Sequence, residues 1–139
     1  LDVMYKYDNI CNYIHLPLQA GSDKILKRMH RSYSKKDFLV LVEKIRLKLP
    51  NVGLSTDIIV GFPGETDNDF LETIDVMNLV EFDSAFHFKY SPRNGTKATE
   101  FEDHISESIK QRRLEKVISL QKKHVTEFVT MILRCCTQT

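Results

Sequence analysis

The sequence predicts an α/β fold built around a small parallel sheet. Three short segments rich in β-branched and aromatic residues alternate with segments of helical apolar spacing, so the element order is β-α-β-α-β-α. Strands joined through helices run parallel, with right-handed connections. Each predicted strand ends in a polar turn, at residues 19–22, 61–65 and 91–96. In parallel sheets such turns meet at one edge, where ligands bind.

The first predicted unit begins with a strand at residues 13–19, which leads into the turn Ala20-Gly21-Ser22. Ser22 and Asp23 are suited to cap a short helix at residues 24–29. The strand and the short helix together should deliver polar side chains to the carboxyl edge of the sheet.

Two longer helices carry their own start signals. Ser34 with Asp37, and Thr66 with Asp69, have the spacing of a capping box, with aspartate in place of the usual glutamate. Pro50 ends the first of these helices, and the strand through Asp57 lies between the two. The apolar stripes predicted to be buried are Phe38, Leu41, Val42, Ile45 and Leu49 on one helix, and Phe70, Ile74 and Met77 on the other.

The third unit begins with a strand at residues 84–91, followed by the turn at 92–96. A polar stretch continues to about His104, and a long helix begins near Ser106. The apolar positions expected on one face of that helix are Leu114, Val117, Ile118, Val125 and Phe128.

Composition limits the class of protein. The chain has 139 residues, of which 42% are hydrophobic and 28% charged, with a formal net charge of +1, so a globular domain with a core is expected. No apolar run is long enough to span a membrane and no signal-peptide pattern precedes the first strand, so a cytoplasmic protein without a membrane partner is predicted. A three-stranded sheet with open edges, between the ends Leu1 and Thr139, predicts a piece of a longer protein.

Charged and sulfur-containing side chains are unevenly placed. Six basic residues and no acid lie between Lys24 and Lys36, a cluster that suits either phosphate or carboxylate binding or a solvated helix face. The three cysteines, Cys11, Cys135 and Cys136, lack any C-x-x-C or other metal-ligand spacing. No zinc site or iron–sulfur cluster is therefore predicted from these cysteines alone.

The strand at Asp57 carries the most informative face of the sequence. Because alternate side chains share a face, Asp57, Ile59 and Gly61 should point the same way. A carboxylate, an apolar side chain and a glycine on one face suit a nucleoside. The carboxylate can accept from ribose hydroxyls, the isoleucine can lie against the base, and the glycine allows the ligand to approach the backbone closely. The alternative is a structural aspartate that caps a neighbouring turn.

Three motifs carry a resemblance to a known family. His15-Leu-Pro-Leu-Gln-Ala-Gly-Ser-Asp23 followed by residues 29–33, the segment 57–66, and Phe88-Lys-Tyr-Ser-Pro-Arg-Asn-Gly-Thr96 resemble the fourth, fifth and sixth strand regions of radical S-adenosylmethionine (SAM) methylthiotransferases. The residue sequences of the first and third motifs are most similar to those of the branch that modifies tRNA. The resemblance implies that residues 1–124 are the distal (βα)3 half of a partial (βα)6 radical SAM barrel. Residues 125–139 are then an unassigned tail of the last helix.

The resemblance also implies roles for individual side chains. Gln19 and Asp57 match residues that hydrogen-bond the ribose of SAM, and Ile59 matches the apolar contact to adenine. Arg31 matches an arginine that pairs with the carboxylate of the methionine moiety, which a planar guanidinium can bind with two hydrogen bonds. Gly61 completes the predicted cofactor site. The alternative for Arg31 is a surface arginine at the end of a basic helix.

Three aromatic side chains near these motifs are less informative. Phe88 and Tyr90 are expected either to pack in the core and rim or to contact a ligand. His15 is expected to be a histidine whose ring nitrogens are satisfied inside the barrel, and no catalytic residue is predicted.

The resemblance implies an activity for the full-length protein. That activity is transfer of a methylthio group to C2 of N6-isopentenyladenosine next to the anticodon of tRNA, with SAM and [4Fe–4S] clusters as cofactors. The cluster motif C-x-x-x-C-x-x-C is absent from this sequence, so the clusters are expected outside this chain, and this chain alone is expected to be inactive. The electron donor is not identified by the sequence. Alternatives are a methylthiotransferase for threonylcarbamoyl-adenosine in tRNA or for a ribosomal protein, and a non-catalytic nucleotide-binding module.

Overall fold

A computed structural model describes residues 1–93 and 95–136, with side chains through Thr130. The chain folds as one parallel sheet with helices, an α/β architecture in the predicted order, preceded by a short helix that the sequence pattern did not predict. The strands are β1 (Tyr13–His15), β2 (Gly53–Val60) and β3 (Ser84–Lys89). The α-helices are α1 (Asp2–Lys6), α2 (Asp23–Arg28), α3 (Lys35–Lys48), α4 (Asp67–Val80) and α5 (Glu107–Cys136), and a 3₁₀ helix spans Lys97–Glu100.

The sheet has the order β1-β2-β3, and both strand pairs are parallel, as predicted. His15 lies opposite Ser55 across the first pair, while Asp57 lies opposite Phe86 and Ile59 opposite Phe88 across the second. The face of β2 that is predicted to bind a nucleoside therefore lies between side chains of β1 and β3.

Strand β1 is shorter than predicted. It ends at His15, and the Leu16 N–H still donates to the Ser55 carbonyl at 2.8 Å. The ladder to β2 is interrupted after that bond, at the next N–H that faces β2. The Leu18 N–H donates instead to the Thr56 hydroxyl at 2.9 Å. The chain rejoins the sheet at Gln19, which forms an isolated parallel bridge to Ile58.

Both predicted capping boxes are confirmed. The Ser34 hydroxyl accepts from the Asp37 N–H at 3.1 Å, and the Thr66 hydroxyl accepts from the Asp69 N–H at 3.2 Å, with the reciprocal bonds also present. Ser22 is the N-cap residue of α2, but its side chain makes no capping bond and donates to the Asp69 carboxylate at 2.7 Å. The serine therefore joins α2 to α4.

The main core lies between the sheet and the helices α3 and α4. Its buried members include Leu54, Val76, Val80 and Phe82, packed against the predicted stripe of α3. The expectation for Leu41 was wrong, since this side chain is exposed. At about 100° per residue, Leu41 lies about 60° from Phe38 on the helix, at the margin of the buried face.

The last helix is only partly covered. Val117 is fully buried against the sheet, whereas Val125 and Phe128, predicted on the same face, are exposed. The reason is length, because α5 has 30 residues and runs past the end of the short strands.

The side chains of Cys135 and Cys136 lie outside the described part of the chain. None of the described helices is both long enough and apolar enough to cross a bilayer.

Candidate functional site

A cavity of about 680 Å³ opens at the carboxyl edge of the sheet. Its lining comes from the carboxyl halves of β2 and β3 and from the segments that follow all three strands, as the turn positions predicted. Four predicted cofactor residues lie in this lining: Gln19, Arg31, Asp57 and Ile59. The structure thus brings together, on one concave surface, a carboxylate, an amide, a guanidinium and an apolar side chain.

Asp57 is held from the side of β1. Its Oδ2 lies 3.3 Å from His15 Nε2, and His15 Nδ1 lies 2.9 Å from the Ser55 hydroxyl. His15 therefore has a partner at each ring nitrogen, as expected. No backbone N–H among the described residues donates to the Asp57 carboxylate, so a turn-capping role for Asp57 is not observed there.

Gln19 is positioned by unusual backbone geometry. Its φ is +67°, a left-handed conformation that is uncommon outside glycine. The Gln19 N–H donates to the Asp57 carbonyl and the Gln19 carbonyl accepts from the Ile59 N–H, both at 2.8 Å. These two bonds lock Gln19 beside the central strand, and its side chain reaches the cavity from there.

Arg31 reaches the cavity because α2 ends in a Schellman turn. His30 has a φ of +55°, its N–H donates to the Lys27 carbonyl at 3.1 Å, and the Arg31 N–H donates to the Leu26 carbonyl at 2.9 Å. This turn satisfies the last carbonyls of the helix and turns the chain toward the cavity. Arg31 is exposed at the end of a basic helix, as its alternative interpretation required, and it also lines the cavity.

The apolar part of the lining includes side chains on β2 and β3 and on the residues that follow them. Ile59 and Phe88 are register partners, and Phe88 is 51% exposed although it is a large apolar residue. Tyr90 is only 9% exposed and packs edge-on against Phe62, with ring centroids 5.0 Å apart. Both aromatic side chains of the third motif therefore line the cavity, Phe88 as an open surface and Tyr90 as buried support.

Gly61, the fifth predicted residue, is not part of the cavity lining. Its φ is +74°, and a Cβ added there would lie 2.4 Å from Lys110 Cγ. The close approach that this glycine permits is therefore to α5. The alternation of β2 side chains ends at Val60, and the positive φ of Gly61 turns Phe62 into the lining.

A buried ion pair, which the sequence pattern did not predict, fastens this turn to α5. Arg113 Nη1 donates to Glu65 Oε2 at 2.6 Å and to the Glu65 carbonyl at 3.0 Å, and both side chains are almost fully buried. The same carboxylate accepts from the Gly61 N–H at 2.7 Å. Burial raises the pKa of Glu65, while the Gly61 N–H and the Arg113 guanidinium oppose that rise.

A second contact closes the other side of the turn. Asp103 accepts from Arg28 at 2.7 Å, the Arg28 guanidinium lies 4.3 Å from the centre of the Phe101 ring, and the Gly64 N–H donates to the Asp103 carbonyl at 2.9 Å. The polar stretch before α5 is therefore folded against α2 and the glycine turn. This packing gives the cavity a wall that the sequence pattern represented only as a connecting segment.

A metal centre finds no support in the described part of the chain, where no group of three or more histidine, cysteine or acidic side chains could hold an ion. Cys11 is an exposed free thiol. The residues present thus fit the polar and apolar groups of a nucleoside with an attached amino acid, and they do not fit an iron–sulfur cluster.

Comparison with known proteins agrees with this geometry. The model of the radical SAM superfamily matches residues 1–77. A tRNA-2-methylthio-N(6)-dimethylallyladenosine synthase of Carboxydothermus hydrogenoformans is 53% identical over 121 residues, which are 87% of this chain and 28% of the relative. Proteins of the same name from Corynebacterium diphtheriae and Clostridium tetani are 47% and 50% identical, over 91% and 88% of this chain and 25% and 28% of their own lengths.

The resemblance to the tRNA-modifying branch of methylthiotransferases is therefore confirmed at the level of sequence similarity. The chain spans about a quarter of the length of the curated relatives that it matches. The family model covers more than half of the chain, and its match ends inside α4, after β2 with Asp57 and Ile59. This chain belongs to the radical SAM superfamily.

Proposed function

We propose that the cavity at the carboxyl edge of the sheet binds SAM. The observation that carries this proposal is the meeting of Asp57, Ile59, Gln19 and Arg31 in one lining. Asp57 and Gln19 would hydrogen-bond the ribose hydroxyls, and Ile59 would lie against the adenine. Arg31 would bind the carboxylate of the methionine moiety. Gly61 would act through the turn that it allows, because its missing side chain faces Lys110.

We propose further that the sheet is the distal (βα)3 half of a (βα)6 barrel, with residues 1–124 as part of that core and 125–139 as the tail of its last helix. Two observations support this arrangement. Strands β1 and β3 pair on one side only within the described sheet. Phe86 and Phe88, on the strand beside Asp57 and Ile59, are 58% and 51% exposed, as side chains that face a barrel interior would be when half of the barrel is considered alone.

The chemistry in this proposal is divided between this chain and the rest of the protein. A [4Fe–4S] cluster outside this chain would supply the electron that cleaves SAM. The residues of this chain would hold the ribose, the adenine and the carboxylate in fixed positions, so that the sulfonium is presented in one orientation. We expect the 139 residues alone to be inactive, and the electron donor to be a separate partner.

For the full-length protein we propose transfer of a methylthio group to C2 of N6-isopentenyladenosine in tRNA, in the cytoplasm. The names of the relatives support this substrate, since all three describe synthesis in tRNA of its 2-methylthio form, with the isopentenyl group named as dimethylallyl. Threonylcarbamoyl-adenosine in tRNA and a ribosomal protein are the alternative substrates. A nucleotide-binding module without radical chemistry is the alternative from another class.

The experiment uses the full-length protein, purified without oxygen and loaded with its clusters. It is incubated with SAM, a reductant and tRNA that carries isopentenyladenosine, and the nucleosides are analysed by mass spectrometry for the added methylthio group. Parallel reactions contain tRNA with threonylcarbamoyl-adenosine or the ribosomal protein. Product in only one of these parallel reactions would reassign the substrate. Binding of SAM with no product in any reaction would favour the non-catalytic module.

A further inference from the structure

The charges around the cavity are strongly unbalanced. Among the described residues of its lining, Asp57 is the single carboxylate, and it faces a set of arginine and lysine side chains. These five cations are Arg28, Arg31, Lys89, Arg93 and Lys97. The imbalance belongs to the cavity itself, because the chain as a whole has a net charge of only +1.

Two of the five cations already have acidic partners. Arg28 binds Asp103 at 2.7 Å, and Lys89 lies 3.4 Å from Glu107. Arg31, Arg93 and Lys97 form no salt bridge within the part of the chain that the structure describes. All three are exposed and available to an anionic ligand.

Arg93 and Lys97 follow β3, and hydrogen bonds fix backbone groups beside both of them. The Arg93 carbonyl accepts from the Thr96 N–H at 3.1 Å and from the Thr96 hydroxyl at 2.8 Å. The Thr99 hydroxyl donates to the Thr96 carbonyl at 2.5 Å, within the 3₁₀ helix that contains Lys97. Both cations are therefore close in sequence to backbone groups that are hydrogen-bonded, which reduces the entropy lost on binding.

SAM cannot account for these two cations. It carries one carboxylate, a sulfonium and an ammonium group, so its net charge is positive near neutral pH, and Arg31 is already proposed to bind the carboxylate. Arg93 and Lys97 follow β3, whereas Arg31 follows β1, so about 10 Å of sheet separates the two sides. Further cations on the far side would repel the cofactor, whereas they would attract a different, anionic ligand.

We infer that Arg93 and Lys97 form a phosphate-binding subsite for the RNA backbone beside the nucleotide that is modified. The subsite deepens the proposed function and rests on it. A guanidinium and an ammonium at the open side of a cavity suit phosphate oxygens, and such contacts fix the register of a nucleic acid without reading its bases. The exposed face of Phe88, also in the lining, offers a surface for an unstacked base beside those phosphates.

The test measures RNA binding by the full-length, cluster-loaded protein. The probe is a fluorescent anticodon stem-loop RNA that contains isopentenyladenosine, and its affinity is recorded over a series of salt concentrations. The variants are Arg93→Gln, Lys97→Gln and the double variant. The matched control is Lys44→Gln, which removes an exposed lysine from α3, away from the cavity.

We expect the double variant to bind the RNA roughly 10-fold to 30-fold more weakly at about 0.1 M salt. The plot of log affinity against log salt should also become less steep by about 1.4, which is about 0.7 for each lost phosphate contact. Affinity for SAM should remain that of the unmodified protein. A wild-type salt slope in the double variant overturns the inference. So does a parallel loss of SAM affinity, because the cations would then belong to the cofactor site.

This binding test and the methylthiolation assay described above together separate the inference from the proposed function. If the wild-type protein methylthiolates tRNA while the double variant keeps wild-type affinity and slope, the subsite is wrong and the function stands. If the wild-type protein modifies no tRNA but binds RNA through Arg93 and Lys97, the function is wrong, and the two residues stand only as a phosphate-binding site for RNA. Absence of RNA binding by the wild-type protein overturns both.

Discussion

His15 Nε2 lies 3.3 Å from Asp57 Oδ2, so a side chain of the edge strand holds the carboxylate that projects from the central strand into the cavity. The other ring nitrogen of His15 lies 2.9 Å from the Ser55 hydroxyl, which fixes the ring. The carboxylate thus occupies a defined position before any ligand arrives. Such preorganisation lowers the entropy that binding must overcome.

The first prediction concerns Asp57 itself. In the full-length protein, Asp57→Ala should weaken SAM binding by about 1–3 kcal/mol, the usual loss when a buried polar partner is removed. Calorimetric titration with SAM measures this change. Asp75→Ala is the control, since Asp75 is an exposed carboxylate on α4 outside the cavity lining. Unchanged SAM affinity in Asp57→Ala would remove Asp57 from the cofactor site.

The second prediction tests whether His15 acts through Asp57. His15→Ala should weaken SAM binding less than Asp57→Ala does, because the carboxylate remains but loses its fixed orientation. In a double-mutant cycle the two changes should be non-additive by about 0.5–1 kcal/mol, as expected for residues in contact. Strict additivity of the two SAM affinities would show that the histidine has only a packing role.

The third prediction concerns the buried pair that fastens the glycine turn to α5. Arg113→Met leaves Glu65 buried without its cation and should lower the free energy of unfolding by about 3–5 kcal/mol in the intact protein. Adding Glu65→Gln should recover part of that loss, because the uncompensated charge is then gone. Urea unfolding measures both changes. Arg112→Met, an exposed neighbour on the same helix, should change stability by less than about 0.5 kcal/mol.

The fourth prediction separates two effects of glycine replacement. Gly61 and Gly95 both have positive φ, +74° and +82°, but only a Cβ at Gly61 would meet Lys110. Gly95→Ala should therefore cost about 1–2 kcal/mol for the left-handed backbone alone. Gly61→Ala should cost about 1–3 kcal/mol more, because the packed Lys110 side chain must be displaced. Equal losses on urea unfolding would mean that Lys110 moves aside freely.

The fifth prediction is a pH dependence of stability. Burial opposes ionisation of Asp69, but hydrogen bonds from Lys24, Thr66 and Ser22 outweigh it and hold the pKa of this carboxyl well below its usual range. The stabilisation is fully present above the unfolded-state pKa of about 4, and it decreases as pH falls toward the lower folded-state pKa.

Asp69→Asn should accordingly lower the free energy of unfolding by about 1–3 kcal/mol near neutral pH. The difference from the wild-type protein should shrink as the pH falls below about 4. Urea unfolding at a series of pH values measures it. Asp75→Asn, which changes an exposed carboxylate on the same helix, should show no such dependence, and a constant difference for Asp69→Asn would contradict the assignment.

The parts of the fold that the sequence predicted are those governed by local rules. Period-two alternation placed Asp57 and Ile59 on one face, and both line the cavity. The capping boxes at Ser34 and Thr66 depend on residues three positions apart, and both formed. The parallel order followed from the helical crossovers, because that geometry leaves few other arrangements.

The parts that it missed depend on distant or marginal contacts. Glu65 and Arg113 are 48 residues apart, and no local pattern connects them. The sequence predicts a ligand beside Gly61, whereas Lys110 on α5 occupies the space next to its Cα. Leu41 has helical spacing from its buried neighbours but is exposed. It is rotated about 60° around the helix axis from the buried Phe38, which places it at the margin of the buried face.

The short length of β1, which ends before Pro17, affects which sheet edge can pair wrongly with another nascent chain. An edge strand of three residues, followed by a proline, offers a wrong partner very few backbone hydrogen bonds. The opposite edge, β3, has six unbroken residues and exposes Phe86 and Phe88. We expect mistaken pairing between nascent chains to begin at β3, which makes prompt coverage of that edge the step on which productive assembly depends.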